Sequence, residues 1–375
     1  MKHAADDLDI LFFSRGRGKG HAVPDLTVLA ELRRLRPGVK VLFASYAAGA
    51  EVFAAAGERM VRLELPENNP FVDTMVLAAH TIRQYPARLV VSHEELAALP
   101  AAKVEHLPTA FLSHWFPPQL DLSVRALHYA DEVLFMERQG LFLEPEEVRG
   151  RVRYLGPVLK HFRYRPEDRG RARRELGFAP DECVVLMLPG NPSEEMAPTC
   201  DLVLNAFDRL ERSSKRLLWL AGRDRENVAR QAGTRANVQV MDVDWQLDRL
   251  MVASDVALTK ATYNIGRELS VLGIPSIALS YGQNFIDDLF ARTFPNNTFL
   301  WARETDAAAL TGHIEAALRQ GLGAPDPAAL EGAGAVAVAG CLAARLQELA
   351  PNPVPLSAAR AMFEPEAAHA AERLN

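Results

Sequence analysis

Three glycines, three cations and a histidine share the seven residues "RGRGKGH" (15–21), one residue after the largely apolar run "LDILFF". A plain turn needs one or two glycines and no such cluster of charge. Gly16, Gly18 and Gly20 let the backbone come close to a ligand, and Arg15, Arg17 and Lys19 say that the ligand is negative. Their spacing matches neither the P-loop nor the dinucleotide fingerprint. His21 falls at the amino end of the helix that follows, where free N–H groups and the helix dipole favour an anion. The alternative is a tight turn with an exposed or capping histidine.

A second group lies in "DVALTKATYNIGRELSVLGIP" (255–275). Lys260 ends a strand and suits a phosphate, with Thr262 in the turn beyond it. Glu268 is an acceptor for a pair of vicinal hydroxyls, as on a ribose. Gln283 can both donate to and accept from a sugar hydroxyl. The plainer readings are a surface ion pair between Lys260 and Glu268, and a helix cap at Gln283. "LVVSHEE" places His93, Glu94 and Glu95 at another strand end, where glutamates also suit a solvated helix start. "FLSHWF" adds His114 and Trp115.

The elements that must hold these groups alternate regularly. "ILFF" (10–13), "VKVLFA" (39–44), "VRLEL" (61–65), "RLVVS" (88–92), "TAFLS" (109–113) and "EVLFM" (132–136) read as buried strands, with leucines and valines at helical spacing between them. After the charged stretch 159–176 the pattern restarts with "CVVLML" (183–188), "RLLWLA" (216–221), "VQVM" (238–241), "VALT" (256–259) and "PSIALS" (275–280). Strands this apolar imply parallel sheets covered on both faces. The expected class is α/β, with two doubly wound Rossmann-like domains facing a cleft. The expected boundaries are 1–157, 158–345 and a helical tail, 346–375. Ligands should gather at the carboxyl ends of the strands.

Composition narrows the functions. The chain has 375 residues, 49% apolar and 24% charged, with a formal net charge of −6. That balance argues against bulk binding of nucleic acid. Cys183, Cys200 and Cys341 lie far apart and suggest neither a disulfide framework nor a zinc site. The amino terminus does not read as a signal peptide, and no apolar run is long enough to span a membrane. A reducing cytoplasm is expected. Peripheral contact with the inner face of a membrane is left open, because "RRLRPGVK" (33–40), Phe71 and Val72 suit either a lipid-facing patch or a solvated helix end.

The opening "GxGKGHxxPxLxxLAxL" pattern resembles the amino-terminal signature of nucleotide-sugar glycosyltransferases of the two-Rossmann (GT-B) architecture. The second half is similar to that of the MurG-like members. "TKA" (259–261), with Glu268 eight residues past the lysine, resembles the galactolipid and glucolipid synthases of the same superfamily. The likeness runs over most of residues 8–345. It implies that His21 is a catalytic base or lines the acceptor pocket, that Glu268 binds the ribose, and that Gln283 touches the donor sugar. Gly190 and Asn191 would approach the donor diphosphate, with Arg223 a further diphosphate contact and Trp245 beside the nucleobase. In this chain Ala261-Thr262-Tyr263 stands where relatives carry serine-glycine or glycine-glycine.

The resemblance implies an inverting, metal-independent bacterial transferase. It would use a nucleotide-diphosphate sugar (UDP-linked by expectation) as co-substrate and no other cofactor. The acceptor is open among lipid, glycan and small molecule. Glu94 or Glu95 would assist His21, with Gly18, Lys19, Gly20, His93 and His114 facing the acceptor or a phosphate. The other readings are a nucleotide-sugar hydrolase or 2-epimerase of the same architecture, and a non-catalytic binding subunit.

Overall fold

The structure is a computed structural model describing residues 8–65, 70–117, 121–189, 196–242, 246–282 and 285–349. It divides into two compact units, Met1–Lys160 with Gly332–Asn375, and His161–Glu331.

The first unit carries a wholly parallel sheet of β1 (Leu8–Ser14), β2 (Val41–Ser45), β3 (Met60–Arg62), β4 (Ala87–His93), β5 (Thr109–Ser113), β6 (Glu132–Phe135) and β7 (Val152–Tyr154). Their spatial order is β3-β2-β1-β4-β5-β6-β7. Alternating side chains of β1 feed two cores, as the pleat dictates. Ile10 and Phe12 pack on one face with Leu29 and Leu32 of the first helix, Ala22–Leu35. Leu11 and Phe13 pack on the other with Ala78 and Ile82 of helix Phe71–Gln84. Pro24 is tolerated in the first turn of helix Ala22–Leu35, where its missing N–H has no intrahelical partner to lose.

The second unit repeats the plan with β8 (Cys183–Leu188), β9 (Lys215–Leu220), β10 (Val238–Met241), β11 (Val256–Lys260), β12 (Ser276–Ser280) and β13 (Asn297–Trp301). The order is β10-β9-β8-β11-β12-β13, again parallel, around a core that includes the fully buried Trp219. Two strands were absent from the sequence reading, β7 and β13. Both are sheet edges with no fully buried residue.

The domain boundaries are corrected at the carboxyl end. Residues 332–345, read as part of the second domain, belong to the first. Helix Ala333–Glu348 lays Ala335, Val338, Leu342 and Leu346 into the core that holds Ile10 and Phe43. Gly334 permits its entry, since a Cβ there would collide with the Pro157 carbonyl. Arg88 fastens the far end by donating to the carbonyls of Leu346 and Leu349. Of the expected tail, 350–375 lies outside the described residues. Among those described, no helix is long and apolar enough to cross a membrane, and the three cysteines are free and buried.

Candidate active site

In a doubly wound sheet the strand order reverses at one point, and loops leaving the two strands there diverge to opposite faces, opening a crevice. In the first unit that point lies between β1 and β4. Ser14, the last residue of β1, is registered directly opposite His93, the last of β4. The loop 15–21 leaves β1 there, and the Arg15 amide donates to the His93 carbonyl at 3.2 Å. His21 takes the N-cap position of helix Ala22–Leu35 without any side-chain capping bond, which disposes of the capping alternative.

What His21 touches is Glu94. Its Nε2 lies 2.7 Å from Glu94 Oε2, with side chains 19% and 3% exposed. Glu94 has φ +57, a left-handed conformation uncommon outside glycine, asparagine and aspartate, and it follows directly on His93. Its carboxylate gathers donors from the end of β5: the Trp115 indole N–H at 2.7 Å, the Ser113 hydroxyl at 2.9 Å and the His114 amide at 3.3 Å. His114 Nδ1 also lies 2.9 Å from Oε1. Burial opposes the charge, but the His114 and His21 partners outweigh it and hold the Glu94 carboxyl well below its usual range. An ionised carboxylate only accepts, so the proton between the pair sits on His21 Nε2. In the neutral ring the lone pair is then left on Nδ1. Burial pulls the His21 pKa down from 6.5, more than Glu94 lifts it.

A second histidine–carboxylate pair lies beside the first. His93 Nδ1 is 2.7 Å from Asp25 Oδ1, and the Ser14 hydroxyl donates to Asp25 Oδ2 at 2.5 Å. All three side chains are buried. Burial disfavours a charged His93, yet Asp25, helped by Glu94, raises its pKa on balance. The His93 and His21 rings meet edge to face with centroids 4.6 Å apart. Asp25 escaped the sequence reading because an acid in a first helical turn is commonplace. Its position four residues after His21, one turn on along the same face, was the available signal.

Glu95 is turned elsewhere and accepts from the Tyr46 hydroxyl at 3.2 Å, so Glu94, not Glu95, meets His21. Lys19 and Arg17 are exposed and Gly18 and Gly20 half-buried. Gly16 has a packing reason for lacking a side chain, since a Cβ would collide with the Tyr46 backbone, whereas one at Gly18 would meet nothing within 4 Å.

In the second unit the reversal falls between β8 and β11. Lys260 ends β11 there, and Thr262 is the N-cap of helix Tyr263–Val271. Glu268 is buried within that helix at 7% exposure. Arg223 lies in a short 3₁₀ turn, Gly222–Asp224, after β9. Gly190, Asn191, Trp245 and Gln283 lie outside the described residues.

Two doubly wound units in tandem, each with its crevice at the reversal of strand order, constitute the GT-B fold. No family model and no curated protein matches the chain by sequence. Among solved structures, MurG of Acinetobacter baumannii matches 92% of this chain and 100% of its own at TM-score 0.64 and 12% identity. The kitacinnamycin glycotransferase matches the same shares at 0.62 and 16%. A putative UDP-N-acetylglucosamine 2-epimerase of Listeria monocytogenes matches 96% and 97% at 0.60 and 12%. At these identities the likeness is one of fold.

Proposed function

We propose that the chain is an inverting glycosyltransferase that moves a sugar from a nucleotide-diphosphate donor, UDP-linked, to an acceptor hydroxyl. The observation that carries the reading is the His21–Glu94 pair. It leaves one basic atom, Nδ1, on a ring fixed at the crevice of the first unit.

In this reading the acceptor oxygen attacks the anomeric carbon while His21 Nδ1 takes its proton. The bond from that carbon to the diphosphate breaks, and its electron pair leaves with the diphosphate. Glu94 stabilises the imidazolium that forms. The second unit takes the donor, with Glu268 on the ribose hydroxyls and Gln283 on the sugar. Lys260, Arg223, Thr262, the amino end of helix Tyr263–Val271 and the loop of Gly190 and Asn191 take the diphosphate. The base is assigned to Trp245. His114 faces the acceptor side, and the buried His93 packs edge to face against the His21 ring. No resident cofactor is required. The protein works in the cytoplasm, with the membrane's inner face as the place to seek a lipid acceptor.

The test is a screen of UDP- and dTDP-sugars by thermal shift, followed by release of nucleoside diphosphate with lipid, glycan and small-molecule hydroxyls. Release that depends on an acceptor, with EDTA present, supports the reading. Because the fold is shared with 2-epimerases, the sugar is also analysed without acceptor. Free sugar at the same rate makes the protein a hydrolase, and the inverted 2-epimer makes it an epimerase. No stabilisation by any nucleoside diphosphate refutes the donor assignment.

A further inference from the structure

The proton between His21 and Glu94 is not the only cation this corner of the fold suits. His93 is 1% exposed, and its Nε2 is buried with no hydrogen-bond partner. A polar atom stranded in this way is costly unless something else binds it. One ligand atom each from His21, His93 and Glu94 lie within 4.8 Å of one another. We propose that these three side chains bind a zinc ion, which switches the site off by taking the place of the proton that His21 shares with Glu94.

Two imidazoles and one carboxylate, with room for a water, form a zinc donor set. Around a tetrahedral ion such ligands stand roughly 3.3 Å apart, from bonds of about 2.0–2.1 Å, so the side chains close in by rotation. The supporting shell is already built. Asp25 holds His93 Nδ1, the carboxylate–histidine arrangement that orients a ligating ring, and Ser14 holds Asp25. Trp115 and Ser113 remain on Glu94 when its bond to His21 is replaced. For His21 the exchange moves the proton. Nε2 turns its lone pair to the metal, the neutral ring carries its hydrogen on Nδ1, and the basic atom is gone. The inference rests on the proposed function only for this loss of turnover, not for binding.

The experiment uses the full-length, tag-free chain stripped with EDTA and titrated with zinc chloride alone by calorimetry, and with cobalt chloride by visible absorption. The expected result is one zinc per chain and the intense d–d bands of four-coordinate cobalt. His93→Gln should abolish both, and Asp25→Asn should weaken zinc by about 10–100-fold. Melting of each stripped variant guards against misfolding. Should His93→Gln misfold, His21→Gln serves in its place. Zinc bound equally by a folded ligand variant, or not bound by the parent, overturns the proposal. Binding intact in a chain that transfers no sugar refutes the proposed function and leaves the zinc site standing.

Discussion

A histidine whose Nε2 proton is committed to a carboxylate has one basic atom left, and its pKa decides when that atom works. Burial holds His21 below 6.5. The neutral form is the base, so activity is lost only as pH falls through that lowered value. The acid limb of kcat/KM, measured with EDTA present, should therefore lie below 6.5, and a limb above it would belong to another group. His21→Ala should lose about 10²–10⁴-fold in turnover, with donor affinity unchanged by calorimetry. Loss of less than about threefold would make His21 structural. On the donor side, Glu268→Ala should weaken nucleotide binding by about 1.5–3 kcal/mol if charge-assisted bonds to the ribose are lost. A 2′,3′-dideoxy analogue should then bind parent and variant almost equally.

At the scale of elements, the loop 15–21 separates two uses of glycine. Gly16 is pressed against the Tyr46 backbone, and the Gly49 amide donates to its carbonyl at 3.1 Å. Gly16→Ala should cost about 1–3 kcal/mol in urea denaturation through overpacking. Gly18→Ala should stay within about 0.5 kcal/mol of the parent. If Gly18→Ala nevertheless weakens ligand binding, the backbone there approaches the ligand as the sequence suggested. The strands that present these loops were legible because β1, β4, β5, β8 and β11 are central and each carries a run of at least three apolar residues. The edges β7 and β13 were not read, although the equally half-exposed edges β3 and β10 were.

For the whole molecule, the return of helix Ala333–Glu348 to the first unit makes that unit discontinuous in sequence. Residues 161–331 form a continuous unit with their own core. Expressed alone, this segment should melt cooperatively and bind a nucleoside diphosphate. Residues 1–160 alone leave uncovered the face that Val338, Leu342 and Leu346 bury, so they should not melt cooperatively until 332–349 is restored. Cooperative unfolding of 1–160 by itself, followed by circular dichroism, would show that the helix only decorates the unit.

By itself the sequence determined the doubly wound class, the position of most central strands and the loop with its histidine. Each of these is written locally, in apolar runs, helical spacing and glycine content. Only the tertiary structure chose Glu94 over Glu95 as the partner of His21. Neighbours in sequence point different ways once the backbone turns, and the left-handed φ of Glu94 is not legible in residue type. Asp25, Ser14 and His93 likewise join only because β1 and β4 lie side by side at the reversal of strand order. An alanine-rich helix carries no label for the core it fills. Helix Ala333–Glu348 joins the first unit because a matching apolar face and the close approach permitted by Gly334 exist there, and both are properties of the folded chain.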